Sequence, residues 1–124
     1  MDNHLIAAVR QNHPITFTVA NTVTSGKVAD ALSAIGASPI MSTAPEEAAD
    51  LVAAAHAVTL NIGTPTAELC KELTVVAAAA NRLHKSLVLD PVACGATAFR
   101  QQINHDLLTS HQFTVIRGNA GEIA

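Results

Sequence analysis

The stretch Leu87-Val88-Leu89-Asp90-Pro91-Val92-Ala93-Cys94-Gly95-Ala96 places a short apolar run before a carboxylate, a proline and a loop of small residues. Three consecutive apolar residues without alternation predict a strand buried on both faces, as in a parallel sheet. Pro91 cannot donate a hydrogen bond to a neighbouring strand, so the strand is expected to end there. Asp90 would then lie at the carboxyl end of the strand, where open α/β sheets bind their ligands. An equally simple interpretation is that Asp90 braces the following turn.

Strand and helix patterns alternate on both sides of this stretch. We expect strands at residues 15–19, 38–41, 57–62, 87–89 and 113–116. We expect helices at residues 5–11, 28–35, 45–55, 69–83 and 99–107. Gly36 has the position of a helix C-terminal glycine, and Thr43-x-x-Glu46 has the spacing of a capping box. The alternation predicts an α/β fold with a mostly parallel sheet, helices on both faces, and one domain over residues 1–124.

Composition and charge exclude several classes of function. The chain has 124 residues, a net charge of −3 and no basic stripe, so we expect no nucleic-acid partner. No apolar run approaches the length of a membrane span, so we expect no membrane partner. The amino terminus lacks the basic and long apolar regions of a signal peptide. Together with two widely spaced cysteines, this predicts a cytoplasmic protein with reduced thiols.

Four turns would meet at the carboxyl edge of such a sheet, at Asn21 and at residues 61–64, 90–92 and 117–119. Arg117 offers a planar set of donors that suits a phosphate group. The carboxylates of Asp90 and Glu122 are hard oxygen ligands of the kind that Mg²⁺ prefers. Together these turns predict a phosphate site at this edge.

Each of these signals also has a purely structural interpretation. Asn119-x-x-Glu122 is also the spacing of a capping-box variant, and Arg117 could be an ordinary exposed arginine. Asn21 could be a helix N-cap or a loop residue. Met41 is core by default, and Cys94 has no base near it in sequence, so it is treated as a small buried residue. The six histidines are scattered without metal-ligand spacing.

Five motifs extend over nearly the whole chain: Gly36-Ala37-Ser38-Pro39-Ile40-Met41, Leu60-Asn61-Ile62-Gly63-Thr64, Leu89-Asp90-Pro91-Val92, Gly95-Ala96-Thr97 and Ile116-Arg117-Gly118-Asn119-Ala120-Gly121-Glu122-Ile123. In their order and spacing they resemble the hydroxyethylthiazole kinase family. The resemblance implies a ribokinase-like fold and a homotrimer. It also implies transfer of phosphate from MgATP to the primary alcohol of 4-methyl-5-(2-hydroxyethyl)thiazole, in thiamine synthesis and salvage.

The resemblance also implies roles on the alcohol side of a site at the subunit interface. Met41 would line the thiazole pocket, with Asn21, Gly63 and Thr64 near it. Three positions around Asn21 depart from the family pattern, because Phe17, Ala20 and Gly26 stand where the family usually has His, Thr and Asn. These departures leave the exact alcohol open.

On the phosphate side, the resemblance implies that Arg117 and Asn119 contact ATP and that Asp90 and Glu122 act through Mg²⁺ and its waters. These residue types suit phosphoryl transfer, which depends mainly on positioning and charge neutralisation. The family's anion hole and catalytic base lie in a second half, expected beyond Ala124. The chain is therefore expected to be the amino-terminal part of a kinase domain and inactive alone. A non-catalytic thiazole-binding or scaffold protein, and a kinase for another small alcohol, remain as alternatives.

Overall fold

A computed structural model describes residues 3–124, in which strands and helices alternate. The strands are β1 (Ile15–Val19), β2 (Ser38–Ile40), β3 (Ala57–Asn61), β4 (Ser86–Asp90) and β5 (Val115–Ile116). The α-helices are α1 (Asn3–Asn12), α2 (Ser25–Ile35), α3 (Ala48–Ala54), α4 (Ala67–Arg82), α5 (Ala98–Ser110) and α6 (Ala120–Ile123). A 3₁₀ turn at Pro45–Glu47 precedes α3. Met1 and Asp2, on which part of the signal-peptide argument rests, lie outside the described residues.

The strands form one sheet in the order β2-β1-β3-β4-β5, and all four pairings are parallel. The predicted α/β fold with a parallel sheet is confirmed. Because every strand runs in the same direction, the turns that follow β1, β3, β4 and β5 share one edge. In that edge Asn61 is paired in register with Asp90.

One face of the sheet carries the hydrophobic core. Phe17, Leu60 and Leu89 have no exposed surface and point to this face from three neighbouring strands. They pack against buried side chains of α3, α4 and α5, such as Val52 and Leu73. The many alanines of α4 allow the helix to approach closely, and Ala77 and Ala80 are fully buried.

The opposite face is more polar and only partly covered. Thr16, Thr18 and Thr59 line a cleft of about 190 Å³ beneath α2, together with Val28 and Leu32 of that helix. Helices therefore pack on both faces, as predicted.

The prediction that β4, the strand beside β5, is buried on both faces is wrong within this chain. Leu87 and Leu89 are buried in the core, whereas Val88 between them is only half-buried on the opposite face. Its neighbour in register on β5, Val115, is 49% exposed. β4 thus has one apolar face in the core and one face that the described helices do not fully cover.

Local capping explains several element boundaries. Gly36 has φ 99° and ends α2 as predicted, with Ala37 N–H donating to Leu32 O. The predicted capping box at Thr43 is wrong, because the 3₁₀ turn has Ala44 at its N-cap. Ser42 links this turn to the segment before it, because its Oγ accepts from Ala44 N–H and donates to the Glu47 carboxylate.

The last strand is shorter than expected, since β5 covers two residues rather than residues 113–116. Thr114 precedes it and still donates its N–H to Leu87 O at 2.8 Å. Within residues 3–124, no helix is long and apolar enough to cross a membrane.

Candidate functional site

Four polar side chains are joined by hydrogen bonds across the carboxyl edge of the sheet. In the order of strands β1, β3, β4 and β5 they are Asn21, Asn61, Asp90 and Arg117. Asn21 Nδ2 donates to Asn61 Oδ1 at 3.1 Å, and Asn61 Nδ2 donates to Asp90 Oδ2 at 2.9 Å. Arg117 Nη2 lies 3.1 Å from the same Asp90 oxygen. The expected meeting of these turns at one edge is confirmed.

Asn21 is a buried loop residue and not a helix N-cap. Its Oδ1 accepts from Val23 N–H and Thr24 N–H, each at 2.9 Å, and from Thr24 Oγ at 3.0 Å. α2 begins only at Ser25, and its N-cap Thr24 makes no side-chain cap. The amide therefore fixes the turn before α2 with its oxygen and reaches the next strand with its nitrogen.

Gly63 lies where a side chain would not fit. A Cβ at this position would come within 2.8 Å of Asn21 Cβ and 2.9 Å of Asn61 Oδ1. Thr64 follows with φ 46°, a conformation that is uncommon for a threonine. Its Oγ accepts from both the N–H and the Oγ of Thr22, each at 3.2 Å. Gly63 and Thr64 thus hold the turns after β1 and β3 against each other.

Asp90 is the most enclosed charge of the edge, with 7% exposure, whereas the Arg117 side chain is 66% exposed. The exposed guanidinium leaves Arg117 open to a second anion on its solvent side, while Asp90 stays enclosed. The Asp90 carboxylate contacts Asn61 and Arg117, and no described hydrogen bond joins it to the turn that follows it. The interpretation that Asp90 braces the following turn is therefore not supported, whereas its place at the carboxyl edge is as predicted.

Glu122 is held at the start of α6 by two backbone donors. Its Oε1 accepts from Ala93 N–H at 2.9 Å and its Oε2 from Asn119 N–H at 3.0 Å. Asn119 Oδ1 accepts from Glu122 N–H in return, which completes a capping box. The bond from Ala93, and next the bond from Asn119, lower the pKa of Glu122. Burial raises it by less than these bonds lower it, and the nearby charge of Arg117 lowers it by a still smaller amount.

The structure brings some of the sequence-predicted residues together and leaves others apart. Asn21, Gly63 and Thr64 form one cluster, and Asp90 pairs with Arg117. Met41, half-buried directly after β2, is one strand away from Asn21 in the sheet, and no described side-chain hydrogen bond joins it to that cluster.

Of the three positions that depart from the family pattern, one lines the cleft beneath α2. Phe17 is fully buried in the hydrophobic core. Ala20 lines the cleft beneath α2, which Asn61, Asp90 and Arg117 also reach. Gly26 faces open space on α2. The cleft is smaller than a typical ligand pocket of roughly 300–1,000 Å³.

The two carboxylates proposed for Mg²⁺ are engaged by groups of the chain itself. Asp90 accepts from Asn61 and Arg117, and Glu122 from two backbone N–H groups. Within residues 3–124, no group of three or more His, Cys, Asp or Glu side chains is arranged to hold a metal ion. Hard oxygens that already have partners fit a cation held through its waters, because Mg²⁺ keeps several waters and needs few carboxylates.

Three contributors to this edge are not predicted from the sequence. Asn61 lies in one of the predicted turns and bonds to both of its neighbours. Thr22 supports Thr64, and Ala93 supports Glu122 through a backbone at φ 50°. The sequence signal for Asn61 is an asparagine at the end of a predicted strand, and this signal does not reveal its hydrogen-bond partners.

A parallel sheet with a connected set of polar side chains along its carboxyl edge defines an α/β protein of the class that binds small ligands at that edge. The profile described as "Hydroxyethylthiazole kinase family" matches residues 6–124, so this chain belongs to the hydroxyethylthiazole kinase family.

Relatives and a solved structure agree with this membership. A "Hydroxyethylthiazole kinase" of Limosilactobacillus fermentum is 52% identical over 119 residues, which cover 96% of this chain and 47% of the relative. One of Lactiplantibacillus plantarum is 48% identical over 124 residues, 100% of this chain and 47% of the relative. The structure of a hydroxyethylthiazole kinase protein from Pyrococcus horikoshii OT3 matches with TM-score 0.93 and 38% identity, over 97% of this chain and 47% of that one. The chain spans about half the length of the curated relatives it matches.

Proposed function

We propose that the protein containing this chain transfers phosphate from ATP to the hydroxyl of 4-methyl-5-(2-hydroxyethyl)thiazole, in thiamine synthesis and salvage. The observation that carries the proposal is the hydrogen-bonded edge from Asn21 to Arg117 in a chain of this family. It joins small polar groups on one side to an arginine–carboxylate pair on the other. Residues 1–124 are the amino-terminal part of a single kinase domain in this proposal.

The alcohol binds on the side of β1 and β3. Asn21, Gly63 and Thr64 shape that side, and Met41 supplies an apolar surface from the end of β2. The absence of a side chain at Gly63 lets the two turns approach each other, as its 2.8 Å Cβ distance to Asn21 requires. In the homotrimer that we propose, this side faces the neighbouring subunit.

ATP binds on the side of β4 and β5. Arg117 contacts Asp90 through Nη2, and its exposed guanidinium has further N–H donors that fit a phosphate oxygen. Asn119 is placed beside it, at the start of α6. A carboxylate near the transferred phosphoryl group would repel it unless its charge is balanced, and Asp90 is balanced by Arg117 in this structure.

Mg²⁺ is the cation that we propose for this side, and it would neutralise charge on the phosphates of ATP. Asp90 and Glu122 would hold it through its waters, since each already has partners within the chain. In this proposal the catalytic base is supplied from outside residues 3–124. We propose a cytoplasmic protein without nucleic-acid or membrane partners.

A non-catalytic thiazole-binding protein is the second candidate. It is favoured by the structural role of Glu122, because each of its two carboxylate oxygens accepts a hydrogen bond from a backbone N–H group. A kinase for another small alcohol is the third candidate. It is favoured by Ala20, a small apolar residue in the cleft that also reaches Asn61 and Asp90.

The test is an assay of the complete protein with ATP, Mg²⁺ and the thiazole alcohol, followed by detection of the phosphorylated thiazole. A panel of other small primary alcohols separates the first candidate from the third. Binding of the thiazole without turnover of any alcohol would favour the non-catalytic protein. Absence of both binding and turnover would contradict all thiazole-based candidates.

An arginine variant tests the phosphate side. Arg117→Gln should raise the KM for ATP about tenfold or more, because a charge-assisted hydrogen bond contributes about 1.5–3 kcal/mol. The KM for the alcohol should change little. Arg82→Gln is the matched control, since Arg82 is an exposed arginine at the end of α4, away from the carboxyl edge. Equal effects of the two variants would contradict the assignment of Arg117.

A further inference from the structure

Among residues 3–124, Asn61 is the one side chain that bonds to both sides of the candidate site. It lies at the end of β3, between the turn after β1 and the end of β4. Its Oδ1 accepts from Asn21 Nδ2 at 3.1 Å and from Gly63 N–H at 2.9 Å. Its Nδ2 donates to Asp90 Oδ2 at 2.9 Å. One planar amide therefore fixes two turns on one side and a carboxylate on the other.

The amide of Asn61 can adopt only one orientation here. Its oxygen end faces two N–H donors, from Asn21 and Gly63, and its nitrogen end faces the carboxylate of Asp90. A flipped amide would place its NH₂ against two donors and its oxygen against a carboxylate oxygen. All three contacts would then be repulsive. The orientation of Asn61 is thus determined by its partners and in turn determines where they lie.

The partners of Asn61 make further contacts of their own, so its influence reaches beyond the residues that it bonds directly. On one side, the Asn21 amide that it orients also accepts from Val23 and Thr24, so the whole turn before α2 depends on the direction of that amide. On the other side, the Asp90 oxygen that it contacts is the one that Arg117 approaches. A change at Asn61 would therefore reach both turns.

We propose that Asn61 is a positioning residue that holds the alcohol side and the phosphate side of this site at a fixed separation. The proposal rests on the function proposed above for the kinetic part of its test, and on the hydrogen bonds alone for the rest. Transfer between two bound reactants depends steeply on their relative placement, and a displacement of about 1 Å can reduce the rate roughly 100-fold.

Asn81 provides a matched control at the other end of the sheet. Its amide also joins two segments, with Nδ2 donating to Gln112 O and Oδ1 accepting from Gln112 N–H, both at 2.8 Å. It lies at the end of α4, before β4 begins, and so at the amino edge of the sheet. Asn61→Ala and Asn81→Ala each remove an amide that bridges two segments, but only the first touches the carboxyl edge.

The kinetic test compares these variants in the complete protein. Asn61→Ala should lower kcat by roughly 10- to 100-fold and raise the KM for the alcohol and the KM for ATP together. Both alanine variants should lower the melting temperature by similar amounts. Asn81→Ala should nevertheless leave kcat, the KM for the alcohol and the KM for ATP within about twofold of the wild type. Asn61→Asp should be at least as impaired as Asn61→Ala, because it retains the acceptor but places a second carboxylate beside Asp90.

Hydrogen exchange gives a measurement that does not require turnover. In Asn61→Ala, protection should fall at Gly63 and also at Val23, Thr24 and the residues just after Asp90. In Asn81→Ala it should fall around Gln112 only. Loss of protection at Gly63 alone, or equal kinetic losses in the two alanine variants, would overturn the proposal. If the wild-type protein phosphorylates no thiazole, the proposed function fails, and the exchange pattern alone decides the role of Asn61.

Discussion

Glu72 and Glu122 are two glutamates in opposite surroundings. Glu72 lies on α4 at 2% exposure, and its Oε1 is buried without a hydrogen-bond partner among residues 3–124. Burial raises the pKa of Glu72, and the nearby Glu47 carboxylate raises it further. Glu122 is half-buried, with both oxygens bonded to backbone N–H groups that lower its pKa. The two regions differ both in how deeply they bury a carboxylate and in the backbone donors that they supply to it.

The difference between Glu72 and Glu122 reflects which parts of the fold leave backbone N–H groups free. Where helices pack on the apolar face of the sheet, the backbone N–H groups are already used within helices and strands, so a buried carboxylate there finds few donors. At the carboxyl edge, turns and helix starts leave N–H groups free to bond side chains. A carboxylate is therefore expected to destabilise the fold on the apolar face of the sheet and to stabilise it at the carboxyl edge.

The largest effect is expected at Glu72. Glu72→Met should increase the free energy of unfolding at neutral pH by about 1–3 kcal/mol, because it removes an unsatisfied buried polar group and keeps the side-chain volume. Glu72→Gln should give a smaller increase, since it removes the charge and retains a polar group. Chemical denaturation measures both.

The control for Glu72 is Glu46→Gln, which removes one negative charge from an exposed side chain in the neighbouring 3₁₀ turn. It should leave stability nearly unchanged. If Glu72→Met were destabilising instead, the Glu72 carboxyl would have a stabilising partner, and the contrast with Glu122 would be lost.

A smaller effect of opposite sign is expected at Glu122. Glu122→Gln keeps one acceptor oxygen and loses the charge, so the bonds to Ala93 and Asn119 should weaken and the melting temperature should fall. Amide exchange should accelerate at those two residues. Unchanged protection at Ala93 in this variant would show that the loop after β4 is held by other contacts.

The fold was largely predictable because its signals are local and repeated. The stripe Leu73, Val76 and Ala80 gave α4, and all three are buried. Gly36 ended α2 as its type requires. The predictions were wrong at the 3₁₀ turn, whose N-cap is Ala44 and not Thr43, and at Val88, which is only half-buried in a strand expected to be buried on both faces. The last strand, β5, is also shorter than expected.

The position of the site was predictable from the sequence, but the pattern of hydrogen bonds within it was not. Strand ends in a parallel sheet must share an edge, so Asn21, Asp90 and Arg117 could be grouped from the sequence. Which oxygen bonds to which donor depends on strand register and on side-chain orientation, which no local pattern encodes. Asn61 and the burial of Glu72 therefore became visible only in the structure.

The pH dependence of stability should separate the two glutamates. The folded-state pKa of Glu72 lies above its ordinary value of 4.5, so its contribution is most favourable below pH 4.5 and is lost as the pH rises through the folded pKa. The folded-state pKa of Glu122 lies below 4.5, so its contribution is present above pH 4.5 and is lost as the pH falls through the folded pKa.

Melting temperatures of the two glutamine variants, measured relative to wild type across acidic and neutral pH, test this. The gain from Glu72→Gln should grow as the pH rises from about 4.5. The loss from Glu122→Gln should shrink below about that pH. Parallel curves for the two variants would contradict the opposite directions of their pKa values.

The smallest effect is expected from a substitution at Gly118. It tests whether the two backbone donors are what lowers the pKa of Glu122. A Cβ at Gly118 would lie 2.8 Å from Glu122 Oε2 and 3.0 Å from Glu122 Cβ. In Gly118→Ala the flexible carboxylate should therefore turn partly away from Asn119 N–H, and the pKa of Glu122 should rise toward its ordinary value. Carboxyl carbon shifts in an NMR pH titration measure this.

Gly95→Ala, in the loop after β4, is the control because its Cβ would meet nothing within 4 Å. A titration of Glu122 that is unchanged in Gly118→Ala would mean that the bond to Ala93 suffices to hold the carboxylate, and that one donor rather than two separates Glu122 from Glu72.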